Sequence, residues 1–93
     1  MLTEEQIEAI AKPFFEPYGI TMKIDMGAGL RWPLIQIHLY RGIAWSAMNF
    51  FERDVTSDRV FIEALKERIR LLKASDDADS NHIFVIEVES HAN

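Results

Sequence analysis

Thr56 to Ala74, TSDRVFIEALKERIRLLKA, is the stretch whose reading decides the fold. Wound at about 100° per residue, Val60, Phe61, Ala64, Leu65, Ile69, Leu71 and Leu72 fall on one broad side. Glu63, Lys66, Glu67, Arg70 and Lys73 fall on the other. A helix with so wide an apolar arc must be covered by a sheet or another helix. Thr56 is the expected N-cap, with Val55 and Val60 as a hydrophobic staple and Asp58 in the first turn, where the helix dipole favours an anion. Arg68 projects within the arc, between Ala64 and Leu72 at helical spacing. Its expected place is the edge of the core, stem packed and guanidinium reaching water or a carboxylate, ahead of a role as an anchor for a bound anion.

Upstream, Thr3-Glu4-Glu5-Gln6 has the form of a capping box, with Leu2 and Ile7 at the staple positions. Ile7, Ile10, Ala11 and Phe14 recur at helical spacing. Pro13 removes a backbone donor and disfavours helical geometry at Lys12, which predicts a kinked helix or one ending near Lys12. Ile20, Met22, Ile24 and Met26 then alternate with polar residues, the pattern of a half-buried strand. Gly27-Ala28-Gly29 reads as a turn, and Leu34 to Tyr40 as a second strand with Ile35, Ile37 and Leu39 on its apolar face.

From Ile43 to about Phe51 two readings compete. Ala44, Ala47, Met48, Phe51 and Val55 fit a helical face. Strand is preferred, because Arg41-Gly42 is short enough for a two-residue hairpin turn and Trp45, Phe50 and Phe51 suit a sheet. After the long helix come an acidic loop, Ser75 to Asn81, a last strand, Ile83 to Glu89, and a short tail. The order helix, three-strand meander, helix, strand predicts one α+β domain over residues 1–93: two layers, with helices on one face of a mostly antiparallel sheet.

Composition narrows function by exclusion. Ninety-three residues with a 48% hydrophobic fraction describe a globular chain, and the absence of cysteine leaves no disulfide or thiolate metal site. That absence fits a reducing compartment, and the acidic N-terminus and lack of a long apolar run fit a cytoplasmic protein without a membrane span. The net charge of −5 is uneven: residues 1–19 carry four acids and one Lys, and residues 74–93 five acids and no base. Residues 20–53 carry four bases and two acids. Direct nucleic-acid binding is not the expected main activity.

The chemical motifs all fail in part. Asp77-Ala78-Asp79-Ser80-Asn81 opens like a calcium loop, but His82 stands where the turn needs Gly and Val88 where a bidentate Glu is needed. His38, His82 and His91 lack metal-ligand spacing. Ser46, His38 and Glu52 can be drawn as a triad only by selection. Gly27-Ala28-Gly29 is followed by Leu-Arg-Trp-Pro and a strand, not by the helix a dinucleotide site requires. No catalytic residue, metal or cofactor is assigned.

Helix, three strands, helix also resembles the order of the double-stranded RNA-binding domain. That family carries a Lys-rich start to its second helix. Here Thr56-Ser57-Asp58-Arg59-Val60 has an acid and no Lys, so the RNA function does not transfer. The acidic ends (Glu4, Glu5, Glu8; Asp76, Asp77, Asp79), the small size and the missing active-site signature resemble small phage-encoded inhibitors of bacterial defence, the anti-CRISPR proteins among them. That resemblance has no motif and implies a stoichiometric binder that blocks a host nucleoprotein complex.

The expected function is therefore a non-enzymatic protein-binding module that docks on a larger protein or ribonucleoprotein assembly. A small enzyme of unknown chemistry and a homodimeric structural subunit are the alternatives. With Arg41-Gly42 as the turn, Tyr40 pairs with Ile43, His38 with Trp45 and Gln36 with Ala47. Leu39, Ile37 and Ile35, with Ala44, Ser46 and Met48, then form the helix-covered face. The uncovered face gathers Tyr40, Trp45, His38 and Ile43, with Lys23 on the next strand and Arg41 at the tip. Aromatic residues with bases nearby have the composition of an interface hot spot, and this is the expected partner or dimer surface.

Overall fold

The computed structural model describes residues 2–27, 34–76 and 83–84. Helix α1, Glu4–Phe15, starts on the capping box anticipated from sequence. The Gln6 amide donates to Thr3 Oγ1 at 3.2 Å, and the Thr3 amide donates to Gln6 Oε1 at 2.8 Å. Leu2 packs partly buried against the core that holds Ile7, as a staple should. The helix does not end near Lys12. It continues through Pro13 to Phe15, because Ala11 and Phe15 are buried one turn apart and their packing outweighs the one lost hydrogen bond. A 3₁₀ turn, Glu16–Tyr18, follows, and Gly19 at φ 72° turns the chain into the sheet.

Strands β1 (Thr21–Asp25), β2 (Ile35–Arg41) and β3 (Ala44–Phe50) form an antiparallel sheet in the order β1-β2-β3. The segment over which helix and strand compete is thus a strand. A second 3₁₀ turn, Glu52–Asp54, leads to helix α2, Asp58–Asp76. The fold is α+β, with α1 and α2 sharing one core cluster with one face of the sheet. Ile24, Ile35, Ile37, Leu39, Met48 and Phe50 supply the sheet's side of that core, and Phe61, Leu65 and Ile69 supply that of α2. The Phe50 and Phe61 rings meet at 5.0 Å between centroids.

Three local expectations are corrected. Ser57, not Thr56, caps α2: its Oγ accepts from the Val60 amide at 3.1 Å, and its carbonyl accepts from the Phe61 amide at 3.0 Å. Val60 therefore sits in the first turn facing solvent rather than in a staple, and Leu71 is exposed as well. The buried stripe is narrower than the apolar arc: Phe61, Leu65 and Ile69, flanked by half-buried Ala64, Arg68 and Leu72. The hairpin turn is Gly42-Ile43, so Arg41 pairs with Ala44, Tyr40 with Trp45 and His38 with Ala47. Gly42 has φ 61°, and the primed turns that suit a hairpin need positive φ at their first central position, which Gly supplies and Arg resists. The slip is two residues, so each side chain keeps its predicted face.

Ile83 and Phe84 form a buried bend rather than the start of a strand. Phe84 packs on Phe15 at 5.6 Å and edge-on to Tyr18 at 5.0 Å. Lys73 near the end of α2 donates to Tyr18 Oη at 3.0 Å with its ammonium over both rings. The remainder of the predicted last strand, the calcium-like Asp77 to Asn81 segment, Ala28-Gly29, His82 and His91 lie outside the described residues.

Candidate functional site

The face of the sheet turned away from the helices is built in rows by the register. Thr21, Tyr40 and Trp45 form the row nearest the hairpin tip. Lys23, His38 and Ala47 form the next, and Asp25, Gln36 and Asn49 the third. Phe51 continues the alternation of β3 past its end, with extended backbone and the Arg53 guanidinium 5.7 Å from its ring centroid.

Tyr40 and Trp45 are direct cross-strand partners and remain 39% and 48% exposed. The His38 ring lies 6.4 Å from that of Tyr40, nearly parallel, and 6.1 Å from that of Trp45. Its Nδ1 is buried with no hydrogen-bond partner. In the third row Gln36 Nε2 donates to Asn49 Oδ1 at 2.7 Å, which fixes both amides. The face thus combines an aromatic cluster, a locked amide pair, and one cation and one anion side by side on β1.

Four of the six residues expected at this surface meet there: Tyr40, Trp45, His38 and Lys23. Ile43 does not stand on a strand. It forms the turn and projects fully exposed at the tip. Arg41 shares the alternation of Leu39 and Ile37, so it belongs to the opposite face, near Gly19. Sequence reading missed Gln36 with Asn49 as a bonded pair, Asp25 as the charge beside Lys23, and Phe51 at the far end. The amide pair follows from the register once the turn is placed on Gly42-Ile43, and Asp25 follows from the alternation of β1 alone. The last could have been found by carrying the period of two past residue 50.

Other candidate chemistry is not assembled. Ser46 pairs with Leu39 on the helix-covered face, whereas His38 belongs to the open one, so the Ser46, His38, Glu52 constellation does not form. Among the described residues no group of three or more His, Asp or Glu could hold a metal ion. None of their helices is long and apolar enough to cross a membrane. An open groove of about 380 Å³ lies between α1 and β1, with Phe15, Ile20 and Met22 beneath and Glu8, Lys12 and Glu16 at its rim. Arg68 is occupied within the fold: Nη1 donates to the Asn49 carbonyl at 2.7 Å, Nη2 reaches Asp54 Oδ2 at 3.3 Å, and the guanidinium lies over the Phe50 ring.

No family model matches this sequence, and comparison with curated proteins and with solved structures finds no match either.

Proposed function

We propose that this chain is a non-enzymatic protein-binding module whose open sheet face docks on a larger protein or ribonucleoprotein assembly, in the manner of phage-encoded inhibitors of the anti-CRISPR type. The observation that carries the reading is the exposure of Trp45 beside Tyr40 on a hydrogen-bonded sheet. Large aromatic side chains held rigidly at a surface lose little conformational entropy on binding and bury much area, which is why they dominate interface hot spots. The strand pairing places these two residues side by side without help from a partner, so the backbone of the surface is preformed.

The test is capture from a bacterial lysate by the immobilised chain, alongside the Tyr40→Ala, Trp45→Ala double variant. The wild type should retain a stoichiometric partner. The double variant should still unfold cooperatively, at a somewhat lowered midpoint from the lost cross-strand pair, and lose the partner. Full capture by a folded double variant would place the docking surface elsewhere. Turnover of a metabolite panel with no captured partner would replace the binding reading by an enzymatic one.

A further inference from the structure

We propose that, in the absence of its target, the open face is covered by a second copy of this chain packed sheet to sheet; the inference rests on the reading of that face as an interface. A two-fold interface must be self-complementary, since one patch meets itself in reverse. This face has that property. Consider a two-fold axis lying in the interface, across the strands, midway between the row of His38 and the row of Gln36. Rotation about it sets each strand against its own copy, running the other way. Lys23 then faces Asp25 of the partner subunit, and the reciprocal pair forms on the other side of the axis. His38 faces Gln36 of the partner subunit, Ala47 faces Asn49 of the partner subunit, and Trp45 faces Phe51 of the partner subunit.

Charge favours this occupant over the alternatives. Lys23 and Asp25 cancel, so the three rows carry no net charge although the chain carries −5. Single-stranded nucleic acid also stacks on sheet aromatics, but it needs an excess of cations beside them, which Asp25 removes here. An acidic or basic protein would leave one of the two β1 charges opposed by its like. A copy of the same face satisfies both.

Size sets the strength. Two of the strands are seven residues long, and strands lie about 4.8 Å apart, so three strands offer less than the ~800 Å² per partner of a standard interface. The dimer is therefore concentration-dependent and competes with the target for one surface.

Sedimentation velocity at low salt, from low to high micromolar concentration, should show the wild type passing from one chain to two. Lys23→Glu and Asp25→Lys should each weaken dimerisation by about tenfold, since each sets like charges face to face twice. Mixing the two single variants should restore it. In the mixed dimer the carboxylate introduced at position 23 of one chain meets the ammonium introduced at position 25 of the other. The unaltered Asp25 of the first chain meets the unaltered Lys23 of the second. That outcome requires both variants to be folded. A wild type that stays monomeric throughout overturns the dimer, as does a mixture no more associated than its components, or a labelled single-stranded oligonucleotide bound by the Tyr40–Trp45 face. A monomeric wild type whose lysate capture still depends on Tyr40 and Trp45 removes the dimer and leaves the docking face standing. A dimer with the expected charge dependence, but lysate capture indifferent to Tyr40 and Trp45, does the reverse.

Discussion

Asp54 and Arg68 close the far end of the sheet onto α2. The carboxylate accepts from the Phe51 amide at 2.9 Å and meets the guanidinium at 3.3 Å, and the other arm of Arg68 holds the Asn49 carbonyl. Asp54 is 9% exposed, the one buried charged residue among those described. A buried carboxylate must be both paired and hydrogen-bonded to be tolerated.

The pair should therefore be costly to break from either side. Arg68→Met is expected to lower unfolding free energy by about 1–3 kcal/mol, because it removes the guanidinium from a buried carboxylate and the hydrogen bond to the Asn49 carbonyl. Asp54→Ala should cost a similar amount, and the double variant less than the two together. Urea titrations of the four proteins give the coupling. Strict additivity would show that the contact contributes nothing. The Glu67–Arg70 pair is the control. It is shorter, at 2.6 Å, but both partners are exposed. The hydrogen bond from Arg70 holds the Glu67 carboxyl below the ordinary glutamate value, against a small opposing effect of desolvation. A depressed carboxylate contributes above its unfolded pKa and loses that contribution as pH falls through its folded one. Any stabilisation is thus constant near neutrality and vanishes only in acid. Screening by solvent makes it small, so Glu67→Gln should leave the melting midpoint at pH 7 unchanged.

Truncations along α2 should separate the buried stripe from the exposed part of the apolar arc. Leu65→Ala and Ile69→Ala are each expected to cost roughly 2–5 kcal/mol, the range for removing buried aliphatic side chains. Val60→Ala and Leu71→Ala, both at exposed positions, should stay within about 0.5 kcal/mol. Equal losses at all four sites in a denaturant series would mean that α2 presents a different side to the sheet.

Two glycines with similar backbone angles should respond differently to alanine. Gly42 has φ 61° with open space where a Cβ would stand, so Gly42→Ala carries only the left-handed penalty, about 1–2 kcal/mol. Gly27 has φ 78°, and a Cβ there would collide with the Leu34 carbonyl oxygen. Gly27→Ala must displace backbone and should cost clearly more. Matching midpoints for the two variants in thermal melts would show that the approach of Gly27 to Leu34 is not a constraint.

Much of this architecture is legible in the residues, and its gaps have identifiable causes. Capping at Thr3 is read directly because both halves of the box are local. The faces of the strands follow from alternation, and a turn misplaced by one residue shifts the pairing by two and leaves them intact. Thr56 and Ser57 are adjacent and both are cap types, with Ser the better of the two, so the cap observed at Ser57 is the one the residue preference favours. Arg68 signals a need for a partner, but Asp54 is fourteen residues away and is brought to it by a 3₁₀ turn that no pattern announces. The open face is half legible: its aromatic cluster and the Lys23–Asp25 alternation stand out in the sequence, whereas its paired amides depend on register.

The hydrogen bond from Lys73 to Tyr18 joins residues 55 apart in sequence, whereas the β2–β3 hairpin closes over two. Closing the longer loop costs more chain entropy before any contact offsets it. The two ends of the fold are therefore expected to differ in time as well as in place. The hairpin that carries Tyr40 and Trp45 should be structured at the folding barrier, and the Tyr18–Lys73–Phe84 cluster should assemble after it. Kinetic φ-values near zero for Tyr18→Phe, with higher values at Leu39 and Met48, would record that order; the opposite gradient would refute it. A newly made chain would then form the sheet face of Tyr40 and Trp45 before its helices have finished docking behind it.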